Sequence, residues 1–169
     1  MGGAVAALMA MRAPDRVASL TLIAPGGFGP EISGRRLSAI ADAPDADALR
    51  AGLNDMGAPG FEMPTKNVAV AAAMRSLPGQ AAKLAEIAAR ISADDRQGEI
   101  PRDALAALKM PTTVVWGTED PVLPYSQSRD LPAHFALVRV PGAGHMLLEE
   151  ARRTVIRAIR QTVRRAGQC

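Results

Sequence analysis

Two side chains capable of acid–base chemistry, Asp120 and His145, follow apolar stretches that end in turns. Asp120 lies in the segment 116–124, Trp-Gly-Thr-Glu-Asp-Pro-Val-Leu-Pro, and His145 closes the segment 141–145, Pro-Gly-Ala-Gly-His. A carboxylate bound to one imidazole nitrogen fixes the tautomer of the ring and stabilises its protonated form. The pair therefore predicts a general base with its orienting acid, and such a pair requires a nucleophile.

Each of these residues also has a simpler interpretation. An aspartate that precedes a proline often serves a turn, and a histidine in a glycine-rich loop can be bonded to the backbone. The glycines at positions 26, 27 and 29 match no phosphate-binding spacing, and we expect them to shape a turn above the site. Both interpretations of Asp120 and His145 stay open until the two loops are shown to meet.

Strands must place these loops, and the chain predicts about three of them. Short apolar or β-branched runs that end at Gly or Pro are typical of buried parallel strands, whereas an alanine-, leucine- and methionine-rich stretch predicts a helix. This alternation indicates an α/β protein with a parallel sheet, whose loops meet at the carboxyl ends of the strands. The predicted strands are residues 17–24, 112–116 and 135–140, and the predicted flanking helices are residues 2–11 and 151–166.

The middle of the chain has a different character. Between residues 30 and 107 no convincing strand occurs, and alanine-rich helical stretches are separated by prolines. We therefore predict a partial α/β core formed by residues 1–29 and 96–169, and an all-helical cap insertion formed by residues 30–95.

Three blocks in order carry a family resemblance: Met1-Gly2-Gly3 with its helix, residues 116–120 and residues 142–145. The chain resembles the carboxyl-terminal part of the alpha/beta-hydrolase fold family, in which a Gly-x-Ser-x-Gly elbow precedes the acid and the histidine. The resemblance implies that Asp120 is the acid, that His145 is the base and that the Met1 amide is an oxyanion-hole donor. The nucleophile would precede Met1, so we expect a truncated form that is inactive alone.

A narrower resemblance rests on residues 22–34 and 140–146. These are similar to the hydrolase-like acyltransferase component of acetoin dehydrogenase complexes, which would use coenzyme A and an acyl-lipoyl group. The first segment is also similar to hydrolases that cleave carbon–carbon bonds of ring-cleavage products. The implied substrate is a small ester, thioester or ketone. Two other functions stay open: a non-catalytic binding or interaction module, and one half of a split hydrolase.

Composition restricts the partners. The chain has 20 basic and 17 acidic residues, and this net charge of +3 does not indicate nucleic-acid binding. One cysteine, Cys169, predicts neither a disulfide framework nor a cysteine-rich metal site, and we predict no cofactor. No stretch is apolar enough to span a membrane, and we expect a cytoplasmic protein. The strand predicted at residues 17–24 would leave one edge unpaired, which predicts self-association.

Overall fold

A computed structural model describes residues 1–167 as a parallel sheet with helices on both faces and a helical segment between its first two strands. Cys169 lies outside the described residues. In chain order the elements are α1 (Gly2–Arg12), β1 (Leu20–Ile23), α2 (Gly34–Ala41), α3 (Ala46–Asn54), α4 (Thr65–Arg75), α5 (Gln80–Ile91), α6 (Arg102–Ala106), β2 (Thr112–Gly117), β3 (Ala136–Val140), α7 (Leu147–Glu150) and α8 (Arg152–Ala166).

The three strands form one parallel sheet in the order β1-β2-β3. All six residues of β2 are buried, because it is the central strand and is covered on both faces. The prediction of about three parallel strands with flanking helices is confirmed. β1 begins later than predicted, because residues 14–16 form a 3₁₀ turn in which the Val17 N–H donates to the Pro14 carbonyl.

The two faces of the sheet are covered by different helices. Ala7 and Ala10 of α1 are fully buried in the same apolar cluster as Leu22, Val114 and Trp116. On the opposite face, Val155 and Ala158 of α8 pack in a second cluster with Val115. The alanines on both helices allow close approach to the strands, so the sheet is packed between two layers.

The segment between β1 and β2 contains the four helices α2–α5, which we call the helical segment (residues 34–91). The Arg75 guanidinium of α4 donates to the carbonyl oxygens of Ile40, Ala41 and Ala43 at the carboxyl end of α2, at 2.7 to 3.0 Å. A cation satisfies the free carbonyls and the negative end of the dipole there. An arginine therefore links α4 to the end of α2.

The two ends of the helical segment lie side by side. Glu31 and Arg96 form an isolated antiparallel bridge, and the Asp95 carboxylate accepts the Gly34 N–H at 2.8 Å. The chain thus leaves the sheet and returns to it at one place. The division at residues 30 and 95 into a core and a cap stays a prediction, although α2–α5 all fall between these limits. Within residues 1–167, no helix is long and apolar enough to cross a membrane.

Candidate active site

Asp120 lies just beyond β2, in a turn that its own side chain stabilises. Its Oδ1 accepts the backbone N–H groups of Val122 and Leu123, both at 2.9 Å, and the side chain is fully buried. Gly117 allows the strand to end against the neighbouring loop, since a Cβ there would lie 2.2 Å from the Ala143 carbonyl oxygen. The turn interpretation of Asp120 is therefore correct for one of its two oxygens.

The other oxygen of Asp120 meets His145. Its Oδ2 lies 2.9 Å from Nδ1 of the imidazole, although the residues are 25 positions apart. The pair forms because β2 and β3 are parallel neighbours and both loops leave the sheet at the same edge. A carboxylate can only accept, so Nδ1 carries a hydrogen, and in the neutral ring the lone pair is then on Nε2. This arrangement can orient an imidazole as a base.

A cavity of about 640 Å³ lies between the sheet edge and the helical segment, and His145 is part of its wall. Most of the lining is apolar, and α2 and α5 provide much of it through Leu37, Ile40, Leu84 and Ile87. The side chains of Gln97 and Arg90 add polar groups to the lining. The cavity can hold an apolar molecule of drug-like size beside an oriented imidazole.

Met1 borders the same cavity as His145. It caps the amino end of α1, where its carbonyl accepts the Val5 N–H at 3.2 Å. Burial lowers the pKa of its α-amino group below the ordinary value of 8.0, because desolvation disfavours the charged amine. The structure thus brings Met1, Asp120 and His145 to one region; their chemical roles stay predictions.

The glycine loop after β1 forms another part of the wall. Gly26 and Gly27 line the cavity, and Gly27 has a φ of +85°, which favours glycine. Gln97 holds this loop by accepting the Gly27 N–H at 3.0 Å and donating to the Gly29 carbonyl at 2.9 Å. The sequence analysis did not identify Gln97, because nothing near it in the chain indicates a partner 70 residues away.

The histidine loop packs directly on the helical segment. The His145 N–H donates to the Met56 carbonyl at 3.0 Å, and a Cβ at Gly144 would lie 2.3 Å from the Ala58 nitrogen. Glu150, which the sequence analysis also missed, accepts backbone N–H groups from both sides of this contact. Among residues 1–167, no group of three or more His, Cys, Asp or Glu is arranged to hold a metal ion.

The fold and the paired loops define the class of protein. The family model described as the alpha/beta hydrolase family matches residues 1–158, and the chain belongs to that family. A curated relative, the dihydrolipoyllysine-residue acetyltransferase component of the acetoin cleaving system of Pseudomonas putida, is 36% identical over 151 residues, which is 89% of this chain and 40% of the relative. The component of the same name from Cupriavidus necator is 27% identical over 146 residues, or 86% of this chain and 39% of the relative.

The chain therefore spans about 40% of the length of the curated relatives that it matches. Solved structures extend the likeness in fold. The 2-hydroxy-6-oxo-6-phenylhexa-2,4-dienoate hydrolase of Rhodococcus sp. strain RHA1 gives a TM-score of 0.78 at 20% identity, with 97% of this chain and 61% of that chain covered. The meta-cleavage product hydrolase of Pseudomonas fluorescens IP01 gives 0.75 at 19% identity, with 98% and 61% covered. Both predicted resemblances, to the family and to the acetoin-system component, are confirmed.

Proposed function

We propose that this chain provides the acid and the base of a serine-type hydrolase or acyltransferase. The main observation that supports this proposal is the 2.9 Å contact between His145 Nδ1 and Asp120 Oδ2 at the wall of an apolar cavity. In this proposal His145 is the general base and Asp120 orients it. In a longer polypeptide Met1 would have a peptide N–H in place of the α-amino group, and that N–H is the proposed oxyanion-hole donor. A polypeptide of these 169 residues alone would lack the nucleophile and would be inactive.

The chemistry follows from the tautomer. Nε2 of His145 takes the proton of a nucleophilic hydroxyl as that oxygen attacks the substrate carbonyl carbon, and the charge passes to the carbonyl oxygen. The Asp120 carboxylate stabilises the imidazolium, which then protonates the departing group. A second acceptor, water or a thiol, releases the acyl group in the same way. In this proposal the hydroxyl is supplied from outside these 169 residues.

The cavity supports a substrate with an apolar acyl or ring group next to its carbonyl. A volume of about 640 Å³ with four aliphatic side chains from α2 and α5 exceeds what an acetyl group fills. An ester, a thioester or a ketone fits this chemistry. The names of the curated relatives favour acyl transfer, whereas the solved structures of similar fold favour carbon–carbon bond hydrolysis as the alternative.

A fluorophosphonate probe tests the proposal, because it reacts covalently with an activated serine. We expect no labelling of the 169-residue protein. We expect labelling of a form extended by the in-frame codons before Met1, if they encode Gly-x-Ser. His145→Gln should abolish that labelling, and His134→Gln, which alters the only other histidine, should not. Labelling of the 169-residue protein that depends on His145 would refute the statement that the nucleophile lies outside it, and labelling that survives His145→Gln would refute the role of His145 as the base.

A second candidate is an interaction module, or one half of a split hydrolase. It is favoured by one surface: Val5, Leu8 and Met9 of α1 are 49 to 63% exposed, and β1 pairs only with β2 in the described sheet. An unpaired strand edge beside apolar side chains favours association through added strands. A stop codon directly upstream of Met1 in the gene would favour this candidate over the first.

A further inference from the structure

The carboxylate of Glu150 lies behind the histidine loop and accepts three backbone N–H groups. Its Oε2 accepts from Gly144 at 2.8 Å and from Ala58 at 3.0 Å, and its Oε1 accepts from Met146 at 3.0 Å. Gly144 and Met146 are the two neighbours of His145 in the chain. The third donor, Ala58, belongs to the loop between α3 and α4, 92 residues away. One side chain therefore binds both the histidine loop and the helical segment.

The two loops are in close backbone contact. The His145 N–H donates to the Met56 carbonyl, and the Cβ position at Gly144 lies 2.4 Å from the Gly57 carbonyl carbon. Residues 56–58 and 144–146 thus form a single packed unit around the Glu150 carboxylate. Bonds from N–H groups to a carboxylate are stronger than neutral ones, so removal of this acceptor affects all three donors together.

The position of the imidazole depends on this unit. His145 is held at Nδ1 by Asp120 and at its backbone by Met56, while Glu150 fixes the backbone on either side. Since the ring must meet Asp120 on one side and the cavity on the other, a shift of its loop by less than an ångström would weaken the 2.9 Å contact.

We propose that Glu150 is a positioning residue: it holds His145 against Asp120 only while the helical segment is seated on the histidine loop. The cavity wall from α2 and α5 and the orientation of the base are thereby linked through one carboxylate. This inference deepens the proposed function and rests on it, because the pair has to be an oriented base for its position to matter.

The adjacent residue provides a matched control. Glu149 also links α7 to the helical segment, since its Oε1 accepts the Asn67 amide at 3.0 Å, whereas its side chain does not bond to residues 144–146. Glu149→Gln and Glu150→Gln make the same chemical change at neighbouring positions. Only Glu150→Gln places an amide NH₂ group where a carboxylate oxygen accepts backbone N–H groups of the histidine loop.

The experiment observes the Nδ1 hydrogen of His145 directly by proton NMR of the full chain. A hydrogen bonded between imidazole and carboxylate resonates far downfield of the amides, and His134→Gln distinguishes it from signals of the other ring. We expect the signal in the wild type and in E149Q. In E150Q we expect loss of the signal, or exchange with water at least about tenfold faster. The closed state of the histidine loop then lacks the charge-assisted bonds to Glu150, and the loop opens more often.

Persistence of the signal with unchanged exchange in E150Q would overturn the inference and leave the proposed function intact. Equal loss of the signal in E149Q and E150Q would also overturn it, since removal of any link between α7 and the helical segment would then have the same effect. Absence of the signal in the wild type would overturn both proposals. If E150Q does not fold, hydrogen exchange of the wild type decides: the Ala58, Gly144 and Met146 amides must open together with the imidazole hydrogen, and separate opening refutes the linkage.

Discussion

Replacement of Asp120 by Asn and by Ala separates its two structural duties. Its Oδ1 accepts the Val122 and Leu123 N–H groups, and its Oδ2 receives Nδ1 of His145, all at 2.9 Å. Asp120→Asn can keep the first duty, since its amide oxygen will face the two backbone donors. The amide nitrogen must then face Nδ1, and because it donates, the imidazole has to move its hydrogen to Nε2.

The sizes of the two effects differ. Asp120→Ala leaves two buried backbone donors without an acceptor, at about 1–3 kcal/mol each, so we expect a loss of about 2–6 kcal/mol in the free energy of unfolding. Asp120→Asn keeps both backbone bonds as neutral ones and reverses the direction of the third, for which a loss of about 1–2 kcal/mol is expected. Small domains have about 5–15 kcal/mol in total, so the alanine variant is close to the limit of folding.

Two measurements check this reasoning. Urea unfolding, followed by the fluorescence of Trp116, the single tryptophan, gives the two free energies. Nitrogen-15 NMR of the imidazole reports which nitrogen carries the hydrogen, and we expect Nδ1 in the wild type and Nε2 in Asp120→Asn. In an intact, active form the wrong tautomer should lower kcat about 10⁴-fold. Equal destabilisation by the two substitutions, or an unchanged tautomer in the asparagine variant, would refute the assignment of the two oxygens.

Three further substitutions test the sheet, the helical segment and the strand edge. Trp116→Phe removes the indole N–H that donates to the Leu123 carbonyl at 3.0 Å, and we expect about 2 kcal/mol of destabilisation by circular dichroism in urea; an unchanged midpoint would contradict this. Arg75→Ala should expose three carbonyls at the end of α2 and lower Tm by about 4 °C, with faster amide exchange in α2 but not in β2; uniform exchange changes would argue against a local role. Thr21→Pro should reduce self-association. The N–H groups of Leu20 and Ala24 donate toward β2, so the N–H of Thr21 faces the free edge, where proline removes it. A wild type that is monomeric by light scattering, or an unchanged mass in the variant, would refute this prediction.

The site pair was predictable from sequence because its causes are local. β-branched residues and Trp116 predict the buried central strand, glycine and proline mark its end, and the same signals recur before His145. Parallel strands then bring their carboxyl ends together without further information. The start of β1 was not predictable at that level, because the apolar Val17 belongs equally well to a strand or to the end of the 3₁₀ turn that precedes it.

The residues that support the pair were not predictable in the same way. Glu150 binds Ala58 across 92 positions, and Gln97 binds Gly27 across 70. Neither has a neighbouring motif: the residue at the amino end of α7 is Met146, which has no side-chain acceptor, so the reciprocal pattern that identifies a capping glutamate is missing. Contacts of this kind depend on how the helical segment sits over the sheet, which no local pattern determines.

The absence of a side chain at Gly144 has a consequence for the construction of chimeras. A Cβ there would lie 2.3 Å from the Ala58 nitrogen. The backbone of residues 56–58 and that of the histidine loop are therefore closely complementary in shape. A helical segment transplanted from another member of the family will fit only if its own copy of that loop approaches as closely. Exchanges of substrate-facing helices should therefore transfer both loops together.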